Sequence, residues 1–557
     1  MKTLLRLTIP LVIAATAFAG TVSPDFKITN PATPVRVMIQ LTNAPTFGNL
    51  STLMGGGATV QKQFHHFPSV LVLTVPAGLV KPLAMLPFVK YISPVRAVKR
   101  HLDLTTAAVG STAAYQAGLT GNGIGVAVID SGIDTTNADL AGHVVYSEDF
   151  TGEGVTNDLY GHGTHVAGIL GSSGANSSGK YRGVAPGVKI VNLRALDETG
   201  SGDDSMVIAA IDRAIDLQST YNIRVINLSM GRPIYENFYD DPLCQAVEQA
   251  WKAGITVVVA AGNEGRDNYP VSGGYASITA PANDPWVLTV GAMKTEGTAA
   301  RGDDLIASYS SKGPTLIDHI VKPDIVAPGN LITSLRVPGS TLDVAYPGNV
   351  VAPAVYGAPA GSQSKYFVMN GTSMAAPVVA GAAAILLQQY PTLTPDQVKA
   401  RLMKTASKTF PATSIATDPD TGLSYTSYYD VFTVGAGYLD IGAAMNDTTL
   451  AAGAAVSPVA VENADGSISV VNADQIVWGE QIVWGEQIVW GEQIVWGEQI
   501  VWGEQIVWGE NGAMALTAST SAVASHTGVA QGTIWSTTAT FPNSTPTAER
   551  TQVKGEK

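Results

Sequence analysis

Between residues 121 and 330 the chain alternates short apolar runs with stretches of helical spacing. Ile124–Asp130 is continuously apolar and closes on an acid, and similar runs recur at Val188–Leu196, Val225–Leu228, Ile255–Ala261, Trp286–Val290 and Ile325–Ala327. Helical patterns lie between several of them, at Met206–Leu217 and Leu243–Trp251. A strand that is apolar on both faces needs cover on both. This alternation therefore predicts an α/β fold, a parallel sheet between two helical layers. Ligands of such sheets bind beyond the carboxyl ends of the strands, and Asp130 and Asn263 fall at that edge.

The flanking segments follow other patterns. Val35, Val37, Ile39 and Leu41 alternate with other residues as in a half-buried strand. Val70–Val75 is a second strand closed by Pro76, 79–89 is a short helix broken by Pro82 and Pro87, and Tyr91-Ile92 begins another strand. Together they predict a small α+β domain. Residues 1–20 carry Lys2 and Arg6, an apolar run from Leu7 to Phe18, and Ala17-Phe18-Ala19, the pattern of a signal peptide cut near Ala19 or Gly20. That run is short for a membrane span of about 20 residues. Residues 475–510 are six copies of Gln-Ile-Val-Trp-Gly-Glu. The even period places Ile476, Trp478 and Glu480 on one face of an extended chain, and 36 residues in one strand would exceed about 100 Å, so the segment must bend, stack or stay partly disordered. Residues 511–557, rich in Ser, Thr and Ala, read as a flexible terminus.

The candidate chemistry centres on Asn370-Gly371-Thr372-Ser373-Met374-Ala375-Ala376-Pro377 and the small and apolar residues up to Leu387. These predict a buried helix with Ser373 in its first turn, where free N–H groups and the helix dipole favour negative charge. Pro377 fits there because first-turn amides have no partner within the helix. A capping serine is the plainer alternative for this stretch alone. Three further motifs decide between the two. Asp130 ends a buried strand in Val128-Ile129-Asp130-Ser131-Gly132, His162 sits in Gly161-His162-Gly163-Thr164-His165, and Asn263 sits in Ala261-Gly262-Asn263-Glu264-Gly265. A serine hydroxyl needs an adjacent base to become a nucleophile, histidine titrates in the right range, and a buried carboxylate orients it. A positioned asparagine amide can serve as an oxyanion donor.

These four motifs, in the order Asp, His, Asn, Ser, resemble the subtilisin-like serine peptidases, the subtilase family. The resemblance covers roughly 121–446 and extends to Val321–Gly329 and Gly435–Asp440. It implies peptide-bond hydrolysis through an acyl-enzyme on Ser373, with Asp130 and His162 completing the triad and Asn263 and Ser373 forming the oxyanion hole. It also implies that Ser229, Met230 and Gly231 form one edge of the substrate cleft, that Ala260, Ala261 and Gly262 form the opposite wall, and that Thr279 lies near the pocket base. With no obvious acid there, an apolar or uncharged residue is expected before the cut. Asp139 resembles a family calcium ligand and Asn176 a second, so a structural calcium is weighed against ordinary solvated polar groups. No cofactor is required for the chemistry. The first domain is similar to the family's ferredoxin-like pro-domain, an intramolecular inhibitor and folding assistant.

Composition narrows the alternatives. A formal charge of −13 with 14% charged residues argues against a nucleic-acid partner. The single cysteine, Cys244, excludes an intramolecular disulfide and reads as a buried thiol. His65 and His66 lack metal-ligand spacing to other candidates. The expected organisation is a signal peptide at 1–20, a pro-domain at 21–104, a peptidase domain at 105–446, a linker at 447–474, repeats at 475–510 and a tail at 511–557. The protein is expected to be secreted and retained at the cell envelope if the repeats contact the cell surface or matrix. A silent surface-binding protein is the rival reading, and the intact motifs argue against it. Among enzymes, the serine-carboxyl peptidases use an acid where His162 stands.

Overall fold

The computed structural model describes residues 20–471, apart from 24–25, 27–29, 96, 101–106, 268–271, 297, 299, 360, 419–421 and 464–467, together with 494–495 and 501–502. The expected signal peptide and tail, and the repeats apart from those two dipeptides, lie outside the described residues. Contacts divide the chain into two compact units, 1–64 with 68–95, and 65–67 with 96–557.

The first unit runs β1 (Pro34–Leu41), α1 (Phe47–Gly55), β2 (Thr59–Gln63), β3 (Val70–Pro76), α2 (Val80–Ala84) and β4 (Val89–Pro94). These four strands pair antiparallel in the order β4-β1-β3-β2, and the two-residue strand Thr21–Val22 adds parallel to β4. The alternation in β1 sends Val37, Ile39 and Leu41 into one core with Leu71, Leu73 and Val75 of β3. The helix expected over 79–89 is confined to α2. Pro82 is tolerated in its first turn, and the chain has left the helix before Pro87.

The second unit begins with β5 (Ala97–Arg100), β6 (Gly125–Asp130), β7 (Val144–Asp149), α3 (Gly163–Gly171), β8 (Lys189–Arg194), β9 (Ser201–Asp203), α4 (Asp204–Asp216), β10 (Ile223–Leu228) and β11 (Met230–Gly231). It continues through α5 (Pro242–Lys252), β12 (Thr256–Ala260), β13 (Leu288–Lys294), β14 (Leu305–Ile306), β15 (Ile325–Pro328), β16 (Ile332–Leu335), β17 (Tyr366–Met369), α6 (Thr372–Gln389) and α7 (Pro395–Thr405). The main sheet has the order β14-β13-β12-β10-β6-β8-β7, with β15 also on β13. Its pairings are parallel except β13 with β14. Strands β6, β12 and β13 are buried at every position, as strands covered on both faces must be. Helix α6 is buried from Thr372 to Leu387 and packs on β10, β12, β13 and β15. Gly381 lets it approach Val184, where an added Cβ would come within 2.7 Å.

At two expected boundaries the chain is held by contacts. β5 pairs antiparallel between β9 and β11, so residues 97–100 pack in the second unit although they precede the expected boundary at 104. The expected 447–474 linker is not free chain over its described part. Ser457 is buried and its hydroxyl bonds Asp324, Val321 N donates to Pro458 O, and Val459–Glu462 pairs with Ile468–Val471. Its run of small residues hides an attachment made by a few side-chain and backbone bonds, among them Lys404 to Asp447 and Ala455 N to Asp396.

Candidate active site

β6 delivers Asp130 at its carboxyl end, and α3 is preceded by His162. His162 Nδ1 lies 2.6 Å from Asp130 Oδ1, with both side chains buried. This contact holds the imidazole in place through Nδ1. Gly163 admits this contact, since a Cβ there would meet Gly132 O at 2.2 Å and Asp130 Oδ1 at 3.2 Å.

The turn before His162 is held by a carboxylate that the sequence reading missed. Asp158 is fully buried; its Oδ1 accepts from Ser131 Oγ at 2.9 Å and Gly161 N at 2.6 Å, and its Oδ2 from Thr164 N at 2.8 Å. Ser131 Oγ in turn accepts from Gly163 N at 2.9 Å. Burial pushes the Asp158 carboxyl up to about 6. Asp158 thus ties the residue after Asp130 to both sides of His162. The available signal was an aspartate ahead of a glycine turn, which resembles many loops. His165 bonds Phe367 O through Nε2, and burial lowers its pKa to about 3, so it packs as a neutral ring.

Ser373 is the second residue of α6, which packs against α3, and it is completely buried. Its hydroxyl donates to Ser229 O at 3.0 Å, while Ser229 Oγ donates to Ser373 O at 2.6 Å. Asn263 is fixed from its carbonyl side, with Oδ1 accepting from Thr372 N at 2.9 Å and Thr372 Oγ1 at 3.2 Å. An N–H donor at that oxygen identifies the other amide atom as nitrogen. Among the described residues, this buried Asn263 Nδ2 has no hydrogen-bond partner. A buried donor left unpaired is costly unless something arrives to accept from it. Its anchor, Thr372, is the chain neighbour of Ser373.

The structure also gathers the expected cleft residues. Thr279 N donates to Ala261 O at 3.1 Å, and Gly262 N donates to Thr372 Oγ1 at 3.1 Å. A Cβ on Gly231 would fall 2.3 Å from Thr279 Oγ1, so the two walls meet where only glycine fits. β11 presents Met230 and Gly231 to β5, with Met230 opposite Arg100 and Gly231 opposite Lys99. The Arg232 guanidinium that follows is buried and paired with Asp204 at 3.0 Å and Asp241 at 2.7 Å. The segment from 336 to 365 packs on the histidine turn, with Thr341 N donating to Leu159 O at 3.1 Å and Leu342 N to Tyr160 O at 3.0 Å.

Asp139 and Asn176 do come together, but not as calcium ligands. Asp139 is fully buried; its Oδ1 accepts from Asn176 N at 2.6 Å, and its Oδ2 from Tyr366 OH at 2.6 Å and Ser172 Oγ at 3.3 Å. Asn176 Nδ2 donates to Asn137 Oδ1 at 3.2 Å. Calcium takes about six to eight oxygen ligands, whereas N–H and O–H donors already fill this carboxylate. These residues therefore do not fit the ion. Burial and the Asp139 bond both raise the Tyr366 pKa, which keeps its hydroxyl a donor. Tyr366→Phe is expected to lower stability by about 1.5–3 kcal/mol, equally in EDTA and in calcium chloride, as read from thermal unfolding. Selective rescue of the variant by calcium would show that the carboxylate can still take an ion.

Comparison with known proteins agrees with this geometry. Residues 121–487 match the subtilase family, peptidase S8. Serine protease AprX of Bacillus subtilis is 40% identical over 321 residues, covering 56% of this chain and 68% of that protein. Subtilisin E of the same species is 35% identical over 361 residues, covering 63% and 78%. An extracellular serine proteinase from a Thermus species is 34% identical over 367 residues, covering 64% and 75%. The crystal structure of fervidolysin from Fervidobacterium pennivorans, described as a keratinolytic enzyme related to subtilisin, aligns with a TM-score of 0.58 at 22% identity. It covers 81% of this chain and 66% of that one, and bears on the fold alone.

Proposed function

Because the chain belongs to the subtilase family and is a serine endopeptidase, we propose that it is made for secretion as a zymogen that cuts itself, and that it prefers an apolar or uncharged residue before the cut. In the reaction, Ser373 Oγ attacks the substrate carbonyl carbon while His162 takes its proton, and Asp130 stabilises the imidazolium. The oxyanion accepts from Asn263 Nδ2 and from the Ser373 N–H at the helix start. As the intermediate collapses, the C–N bond breaks and His162 returns the proton to the leaving amine. Water then attacks the acyl-enzyme by the same route and frees Ser373.

The observation that carries the zymogen reading is the strand register. Arg100 lies opposite Met230 and Lys99 opposite Gly231, so the described pairing ends one residue short of Ser229. The carbonyl of Ser229 is the group 3.0 Å from Ser373 Oγ. On this reading the processed bond is His101–Leu102. The first unit, with its βαββαβ order, then acts as a ferredoxin-like pro-domain whose trailing strand fills the cleft. The uncharged walls at Ala260, Ala261, Gly262 and Thr279 support a neutral residue at the cut. The lysine- and arginine-bearing leader and the short apolar run at 1–20 support secretion. One experiment tests processing and preference together. The mature protein is sequenced from its N-terminus, and its cuts in a denatured protein are mapped by mass spectrometry. The expected results are a start at Leu102 and cuts after apolar or neutral residues. A start outside 101–104, or cuts confined to Lys and Arg, would refute the respective half.

A further inference from the structure

One cluster in the second unit takes no part in hydrolysis. His65 and His66, which group with that unit, lie against α4. Asp212 accepts both of their backbone N–H groups, His65 N at 2.9 Å and His66 N at 2.7 Å. Asp216, one helical turn further along the same face, meets both rings on a single oxygen. His65 Nδ1 is 2.9 Å from Asp216 Oδ1, and His66 Nε2 is 2.8 Å from it. The two rings have centroids 4.6 Å apart, and the three ligand atoms lie within 4.8 Å of one another.

Adjacent residues in extended chain point to opposite sides. Here the backbone turns so that one histidine offers Nδ1 and its neighbour Nε2 to the same spot. Asp212 fixes that turn by taking the two amides. Two imidazoles and a carboxylate are the donor set preferred by zinc and its first-row neighbours. Around an ion with bonds of about 2.0–2.1 Å, each nitrogen must move only about 0.5 Å further from Asp216 Oδ1. The side chain of His65 is 75% exposed, which leaves room for water in a fourth position. The nearby cation, Arg213, stands 3.7 Å from Asp216 but is engaged by Glu148 at 2.7 Å and 3.1 Å. Asp212 and Asp216 place two carboxylates at the cluster, which favours a cation. Sequence spacing pointed away from a metal because Asp216 lies 150 positions beyond His66.

We propose that His65, His66 and Asp216 bind one divalent transition-metal ion of the zinc class, with Asp212 holding the two histidines in the ligating turn. The site is independent of the catalytic reading and is tested without activity. The full chain carrying Ser373→Ala, checked by intact mass, is titrated with zinc by calorimetry and with cobalt by visible absorbance. One equivalent of zinc is expected, with a cobalt spectrum of nitrogen and oxygen ligation. His66→Ala and Asp216→Asn should each weaken zinc binding at least tenfold, with unchanged circular dichroism. His65→Ala, at the most exposed ligand, provides a further variant that cannot disturb the core. The proposal fails if the parent takes up no zinc at sub-millimolar concentration, or if the three variants bind it as the parent does.

Discussion

Ser373→Ala is expected to lower kcat on a chromogenic peptide by about 10⁶-fold, the scale of nucleophile loss measured in a subtilisin. Oγ is the atom that becomes the acyl ester, and no neighbouring group can replace it. Ser229 Oγ donates to the Ser373 carbonyl, and Thr372 Oγ1 contacts Asn263 Oδ1, so both nearby hydroxyls are engaged. The change removes one atom from a fully buried site that keeps its helix, so the fold should persist. Residual turnover of about 10³–10⁴ over water would reflect binding and the oxyanion donors alone. The same variant should retain its full precursor mass when expressed without other proteases. A processed, active Ser373→Ala protein would refute both the nucleophile and self-cleavage.

Asn263→Ala should lower kcat by about 10²–10³ while KM changes little, since its donor faces charge that exists only in the transition state. That range was measured for the matching asparagine of a subtilisin. The substitution also strips the acceptor from Thr372 N, at a cost to stability of about 1–3 kcal/mol. Asn263→Asp separates the two effects. It keeps an oxygen for Thr372 N but removes the donor and places negative charge beside the oxyanion, so it should be at least as slow as the alanine variant. If kcat measured under saturating peptide stays within a few-fold of the parent in both variants, the oxyanion role is excluded.

The sequence revealed most where one residue type answers one physical demand. Apolar-rich runs located all six of the strands named from them, because most positions of a buried parallel strand face other apolar groups. The Asp130–His162 pair was legible from motif and order, although its 2.6 Å contact was not. Legibility failed where a residue's role depends on distant chain. Asp158 looks like any loop acid until Ser131 and Gly161 close around it. Asp139 matched a ligand pattern, yet its partner Tyr366 lies 227 positions away and fills the oxygen that an ion would need. The attachment of Ser457 to Asp324 spans 133 positions and turns an apparent linker into part of the core.

The place of β5 between β9 and β11 has a consequence for which proteins this enzyme can digest. On the proposed reading a guest takes that place and must supply backbone groups along both of its edges at once, and a strand already inside a sheet or a helix has none to spare. Selection therefore begins with how freely a stretch of prey can straighten, before any side chain is read. Native, tightly knit proteins should survive, whereas hinges, frayed ends and heat-loosened regions become the points of entry.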